Sequence, residues 1–437
     1  MIPKPGKDPT CSDNYRPIAL APKLSKVLEW CILLIYGDSF STSSLQFGFK
    51  PGMSADMCTG LIKTVISRYC FNGSNVFGCF LDASKAFDRV SHLKLFSKLL
   101  EKNLPPIIIR LLFSWYRDQK FSVFWNKSLS KDFSVSKGVR QGGVLSPILF
   151  IVYIDELLTR LESQGVGCYW SHYFAGAFGY ADDIVLLSPS ASALRMMFNT
   201  CCQFAKDYNL IFNPDKTQLV RFSLHCPVIT SMSPTFLFAG HSLKLVDRAC
   251  HLGHILRSDL SDNDDILRVQ TDMCRRANCL LSTFYAANPV LKTFLFRTFC
   301  LFLYGSALWC LSSSGLRSLE VAFNNILRKI WNLPRHCHTN ILHCLSRLDS
   351  LYNVIIHRSR MLCKKARATG ISIICDIFEE SRRLSYTTFG YNSLNCNKYK
   401  RIYTDDVKLC SNFIRDVKLF PQENRNLFHE VYYMSTC

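Results

Sequence analysis

A chain of 437 residues exceeds what one simple core organises and points to two or three domains. With 48% hydrophobic and 19% charged residues it can bury sizeable cores, which excludes disorder by composition. Its 52 Lys and Arg against 33 Asp and Glu leave a formal charge of +19, which points to a polyanionic partner, either nucleic acid or an acidic membrane surface. The membrane reading finds little support: the longest apolar stretch, Phe299 to Leu311, is short of a span. Met1-Ile2-Pro3-Lys4-Pro5-Gly6-Lys7 leads into no apolar signal segment, and the 21 cysteines include no Cys-x-x-Cys pair. Reduced thiols in an intracellular protein are expected, most of them small buried hydrophobes.

The first residues, up to Pro22, are rich in Pro and Lys and read as an extended arm. A helix is predicted from about Pro22 to Leu34, with Leu24, Val27 and Leu28 on its apolar face. Arg16, Lys23 and Lys26 could clamp a triphosphate or serve as solvated surface charge. After the turn-rich Gln46-Phe47-Gly48-Phe49-Lys50-Pro51-Gly52, a helix from Ser54 to Tyr69 is expected with Ser54 as its N-cap. Val76 to Asp82 reads as a buried strand ending in a carboxylate. Asp82 is either an N-cap or one ligand of a metal site built on a rigid strand end.

Helices are predicted over His92–Lys102 and Ile107–Tyr116, and hairpin strands over Phe121–Trp125 and Asp132–Ser136. The glycines of Gly138-Val139-Arg140-Gln141-Gly142-Gly143 let backbone approach a ligand closely, and Ser146-Pro147 opens a helix that runs to about Leu161. Phe178-Gly179-Tyr180-Ala181-Asp182-Asp183-Ile184-Val185-Leu186-Leu187 sets two adjacent carboxylates between apolar runs, the pattern of strand, tight turn and returning strand. Paired negative charge beside buried strands asks for a divalent metal, for a Lys or Arg, or for no more than an Asp-rich turn. A helix over Ser192–Tyr208, a turn over Asn213–Thr217 and a strand over Gln218–Phe222 follow. By spacing alone Lys216 reads as the exposed lysine of that turn. Short strands are expected over Phe236–Val246 and Cys250–Leu256, then basic helices from about Asp264, with Leu291–Leu311 and Leu316–Ile330 as bundle helices.

Taken in order, these pieces resemble a known family. Ile2-Pro3-Lys4-Pro5-Gly6-Lys7 with Asn14-Tyr15-Arg16-Pro17-Ile18, Gln46 to Gly52, Leu81-Asp82-Ala83-Ser84-Lys85-Ala86-Phe87-Asp88, Gly138 to Pro147, Tyr180-Ala181-Asp182-Asp183 and Leu252-Gly253 are similar to the reverse transcriptase of non-long-terminal-repeat retrotransposons (LINE elements), of the animal CR1/Jockey type. The resemblance covers roughly residues 1 to 330. It implies an α+β, right-hand polymerase of fingers, palm and thumb with an antiparallel palm sheet, followed by a helical basic C-terminal region. On that pattern residues 1–75 are N-terminally truncated fingers, 76–256 palm with finger elements and primer grip, 257–330 thumb, and 331–437 the basic helical region.

The resemblance also implies roles. Asp82, Asp182 and Asp183 would hold two Mg²⁺ ions (Mn²⁺ being the alternative), with the Ala83 carbonyl as an added ligand, in keeping with the oxygen ligands that Mg²⁺ prefers. Phe87 would be the steric gate against a ribose 2′-hydroxyl. Arg16 and Lys23 would grip the triphosphate, Gln141 and Gly142 would line the incoming nucleotide and template, and Lys216 would act as general acid to the pyrophosphate. The implied partners are an RNA template, a DNA primer or target, and deoxynucleoside triphosphates, in a nuclear or cytoplasmic ribonucleoprotein. Such elements carry an endonuclease domain ahead of the polymerase, so a chain opening inside the first motif is read as a partial reading frame. His336-Cys337-His338, His343-Cys344, His357 and Cys363 fall in no tidy zinc spacing. Arg335, Arg347, Arg358, Arg360, Lys364, Lys365 and Arg367 are expected to meet phosphate or solvent. The rival readings are a nucleic-acid-binding remnant without turnover and, ranked lower, an intron reverse transcriptase with a maturase domain.

Overall fold

The structure, a computed structural model, describes residues 14–224, 234–385 and 387–400, with Ile2, Pro3, Gly6, Asp8, Thr10 and Cys11 ahead of them; for 396–400 only the backbone is described. The chain divides into two compact units, Met1–Cys58 with Asn72–Ala249, and Thr59–Phe71 with Cys250–Cys437. Both α-helices and β-strands build the fold. No helix among the described residues is long and apolar enough to cross a membrane.

The first unit is organised on a four-stranded antiparallel sheet in the order Ala177–Tyr180, Asp183–Ser188, Val76–Leu81, Gln218–Phe222. Val76–Leu81 is apolar on both sides, and each of its residues is buried, as a central strand requires. Gly78 within it leaves room for a ring from the next strand, since a Cβ there would lie 2.7 Å from Phe222 Cε2. The helix Ser146–Ser163 packs against Ala177–Tyr180, and the helix Ala191–Asp207 against Asp183–Ser188. Register places the chemistry. Ile184 lies opposite Leu81, and Gln218 opposite Phe80, so Asp82, Asp183 and the turn before Gln218 come to one edge of the sheet.

Several sequence expectations change in detail. The first helix runs over Lys23–Tyr36, and the side expected to face inward faces out: Leu24 is 82% exposed, and Val27 and Leu28 are exposed too. Glu29 and Ile32 are buried instead. The reason is polar. Glu29 Oε2 accepts the backbone N–H groups of Val144 and Leu145, the latter at 3.0 Å, satisfying donors that would otherwise be orphaned at the start of the helix Ser146–Ser163. The predicted hairpin after Tyr116 shrinks to two short pairings, Lys120–Phe121 with Phe133–Ser134 and Phe124–Trp125 with Ser128–Leu129, turning through left-handed Asn126 and Lys127.

The second unit is helical, with Asn263–Thr283, Pro289–Phe299, Ser314–Ile330, Thr339–Ser346 and Leu351–Ala368 contributing to a core that includes Met273, Phe296, Trp309, Phe323 and Trp331. A buried ion pair of Lys63 with Asp262 at 2.5 Å is completed by donation from Lys63 to the Leu308 carbonyl. The expected bundle helix Leu291–Leu311 stops at Phe299. Beyond it Gly305 takes φ +84° where a Cβ would meet His254 Nδ1 at 2.8 Å, and a single 3₁₀ turn, Ser306–Leu308, brings the Trp309 indole N–H to Asp265 at 2.9 Å. Arg358 has a partner within the fold, its guanidinium donating to the Leu303 carbonyl at 2.5 Å while the residue stays exposed.

Candidate active site

Asp82 follows directly on the central strand. Beyond it the chain keeps pairing: the Ser84 N–H reaches the Ile211 carbonyl at 2.8 Å and the Asn213 N–H reaches the Asp82 carbonyl at 2.8 Å. Ala83 therefore faces Phe212 as a non-hydrogen-bonded pair, which turns its own carbonyl away from the Phe212 chain. Asp183 begins the neighbouring strand, and Asp182 stands in the two-residue turn Ala181-Asp182 before it. Lys216, on the turn beside Gln218, places Nζ 3.4 Å from Asp82 Oδ2. The strand ends thus bring Asp82, Asp182, Asp183 and Lys216 together.

The electrostatics are unfavourable by design. Burial raises Asp183 to about 6, with the charges of Asp182 and Asp82 adding to it. Asp182 is likewise raised, by burial and then by Asp82. Two half-buried acids that each resist ionisation beside a third are a donor set that a divalent cation would relieve. The Lys216 ammonium, at the long end of hydrogen-bond distance, offers Asp82 only a weak substitute. Among the described residues no group of three His, Cys, Asp or Glu side chains is gathered into a metal-ligating cluster.

Beside them lies a wall of rings and loop backbone. Phe87 stacks on buried Phe150, centroids 4.3 Å apart and planes within 12°, and meets the edge of Phe49 at 6.3 Å. The Phe87 carbonyl accepts the Val139 N–H at 2.8 Å, and Gln141 Nε2 donates to Asp88 Oδ1 at 2.9 Å, so the glycine-rich loop is tied to the turn after Asp82. Gly142 sits at φ +119° where a Cβ would fall 2.8 Å from the Ala19 carbonyl, and the Ala19 N–H donates to the Gln141 carbonyl at 2.7 Å. The segment carrying Arg16 and Lys23 is thereby held against Gln141 and Gly142, and both cations are exposed. Sequence reasoning assigned Glu29 no role in this loop. The only sign in the sequence is an acid set among the apolar residues of a helix.

A family model for reverse transcriptase (RNA-dependent DNA polymerase) matches residues 2–246, more than half of the chain. The chain belongs to the reverse transcriptase family. The RNA-directed DNA polymerase from mobile element jockey of Drosophila funebris is 27% identical over 371 residues, covering 79% of this chain and 38% of that protein. The probable RNA-directed DNA polymerase from transposon BS of Drosophila melanogaster is 28% identical over 374 residues, covering 78% of this chain and 39% of that protein. The chain spans about two fifths of the length of these relatives. Among solved structures, telomerase from Candida albicans in complex with a fragment of telomeric RNA superposes with a TM-score of 0.44 at 14% identity, over 88% of this chain and 57% of that one. Residues 2–246 run from the Ile2–Pro3 strand, paired with Tyr15–Arg16, through all four strands of the sheet, so the reverse transcriptase match contains every candidate residue above.

Proposed function

We propose that this chain is the polymerase core of an RNA-directed DNA polymerase, extending a primer 3′-hydroxyl along an RNA template with deoxynucleoside triphosphates. The observation that carries the reading is the edge of the sheet where Asp82 meets the Ala181-Asp182-Asp183 turn, inside a chain of the reverse transcriptase family. Asp82, Asp182 and Asp183, with the Ala83 carbonyl, would hold Mg²⁺ or Mn²⁺. Such ions would supply a lower pKa for the attacking hydroxyl and a screen for the charge of the departing pyrophosphate.

The protein's own part is positioning. The 3′-hydroxyl loses its proton to solvent water as its oxygen bonds to the α-phosphorus, the bond to pyrophosphate breaks, and Lys216 supplies a proton to the leaving oxygen. Phe87, pinned by Phe150 and Phe49, cannot swing away, so a ribose 2′-hydroxyl meets a fixed ring. Gln141 and Gly142 line the nucleotide and template, and Arg16 and Lys23 meet the triphosphate. In this reading residues 1–75 supply fingers, 76–256 the palm with finger elements and primer grip, 257–330 the thumb, and 331–437 a basic helical region. His357, Arg360, Lys364 and Arg367 form an exposed stripe on the helix Leu351–Ala368 and face nucleic-acid phosphates, Arg367 exchanging its bond to Glu379. Primer extension on an RNA template with deoxynucleotides and Mg²⁺ tests the proposal. Template-dependent product is expected. Nucleic-acid binding with no product under Mg²⁺ or Mn²⁺ would contradict it.

A further inference from the structure

We propose that Gln46, a residue with no part in the chemistry above, is a positioning residue that sets the acidic turn for metal. The inference rests on the polymerase reading of Asp82, Asp182 and Asp183. Ala181, immediately before Asp182, has φ +58°, a left-handed conformation that is costly for a residue with a Cβ and persists only where its surroundings enforce it. The two-residue hairpin turn calls for that conformation, and the Gln46 carboxamide holds the peptide that adopts it. Its Oε1 accepts the Ala181 N–H at 2.9 Å and the Gly48 N–H at 2.9 Å, from a side chain with no exposed surface.

The backbone around Gln46 is docked to match. The Phe47 N–H donates to the Gly179 carbonyl at 2.7 Å and the Gly179 N–H to the Leu45 carbonyl at 2.9 Å, so Leu45 to Phe47 runs parallel beside the strand that leads into the turn. Two glycines make the approach feasible. A Cβ on Gly48 would lie 2.3 Å from the Ala181 nitrogen, and one on Gly179 would lie 3.0 Å from Gln46 Nε2. That Nε2 is buried with no hydrogen-bond partner among the described residues. Leaving a buried amide donor unsatisfied is destabilising, so an apolar side chain of the same shape would suit a purely structural site better. What such a side chain lacks is the acceptor. The amide is retained for Oε1, and Oε1 holds the peptide that aims Asp182.

The test is Mn²⁺ binding, followed by electron paramagnetic resonance, on the wild type and on Gln46→Met, with thermal melting and RNA-oligonucleotide binding measured alongside. Gln46→Met keeps the shape and removes the acceptor. Phe47→Leu, a buried neighbour that touches Phe178, is the control for general loosening. Gln46→Met is expected to weaken Mn²⁺ binding about 10–100-fold, the range for partners that orient metal ligands, while RNA binding stays within about twofold. Ala181→Gly, which removes the penalty on positive φ, should recover part of that loss in the Gln46→Met background. Unchanged Mn²⁺ binding in Gln46→Met, or a loss that Phe47→Leu reproduces at equal melting temperature, overturns the role of Gln46 alone. A wild type that does not bind Mn²⁺, with Asp182→Asn indistinguishable from it, overturns the metal reading and this proposal with it.

Discussion

A carboxyl that ionises near pH 6 works against the metal-free fold. Asp183 is raised to about 6 by burial and by its two acidic neighbours, above the value it would have in an unfolded chain. The folded state therefore holds its proton more tightly. Its contribution to stability is present below about pH 4 and is lost as pH rises through about 6. Asp183→Asn is expected to stabilise the metal-free protein at pH 8 by on the order of 1–2 kcal/mol, a gain that fades toward pH 4. Thermal melts across that range check it, and a gain that is constant with pH would place the effect elsewhere. At the same scale Phe87→Val should admit ribonucleotides at least tenfold more readily, measured as the ratio of ribonucleotide to deoxynucleotide incorporation. An unchanged ratio would remove Phe87 from that role. The positions of Asp82, Asp182 and Asp183 at strand ends were legible from the apolar runs beside them, whereas that pattern alone left a metal, a cationic partner and a plain turn equally open. Gln46 and Glu29 were not legible, since what they do is bond to backbone N–H groups more than a hundred residues away.

At the scale of elements, alternation and turn residues marked the sheet well: the strands around Ala181-Asp182 and the strand Gln218–Phe222 lie where the pattern placed them. The helix Lys23–Tyr36 shows where periodicity misleads. Its apolar stripe was legible, yet the stripe faces outward, because the buried acid on the other side satisfies two backbone donors of the glycine-rich loop. Glu29→Leu should lower stability by about 2–4 kcal/mol through those orphaned donors. Leu24→Gln, at an exposed position, should change it by less than about 0.5 kcal/mol. Melting of the two variants compares them directly, and the reverse order would contradict the assignment of the faces. The early stop of the helix Pro289–Phe299 was hidden for a related reason. An apolar run continues to Leu311, yet the chain leaves the helix at Cys300 and packs left-handed Gly305 against His254 and Asp265.

At the scale of the whole molecule, an excess of 19 positive charges predicts that the proposed binding of nucleic acid is driven by counterion release. Affinity for an RNA–DNA hybrid should fall steeply with salt. Lys364→Ala with Lys365→Ala should reduce the slope of log affinity against log salt by about 1–2, if both exposed lysines meet phosphates. A slope unchanged by the pair would move the contact to other bases. The central claim is that the acids at the edge of the sheet carry out synthesis. It is tested most directly by primer extension on an RNA template with Mg²⁺ and deoxynucleotides, wild type beside Asp182→Asn, with hybrid binding measured on both. Extension by the wild type, its loss of at least a thousandfold in Asp182→Asn, and equal binding by the two is the expected result. Equal extension by both proteins, or binding lost together with activity in Asp182→Asn, would contradict it.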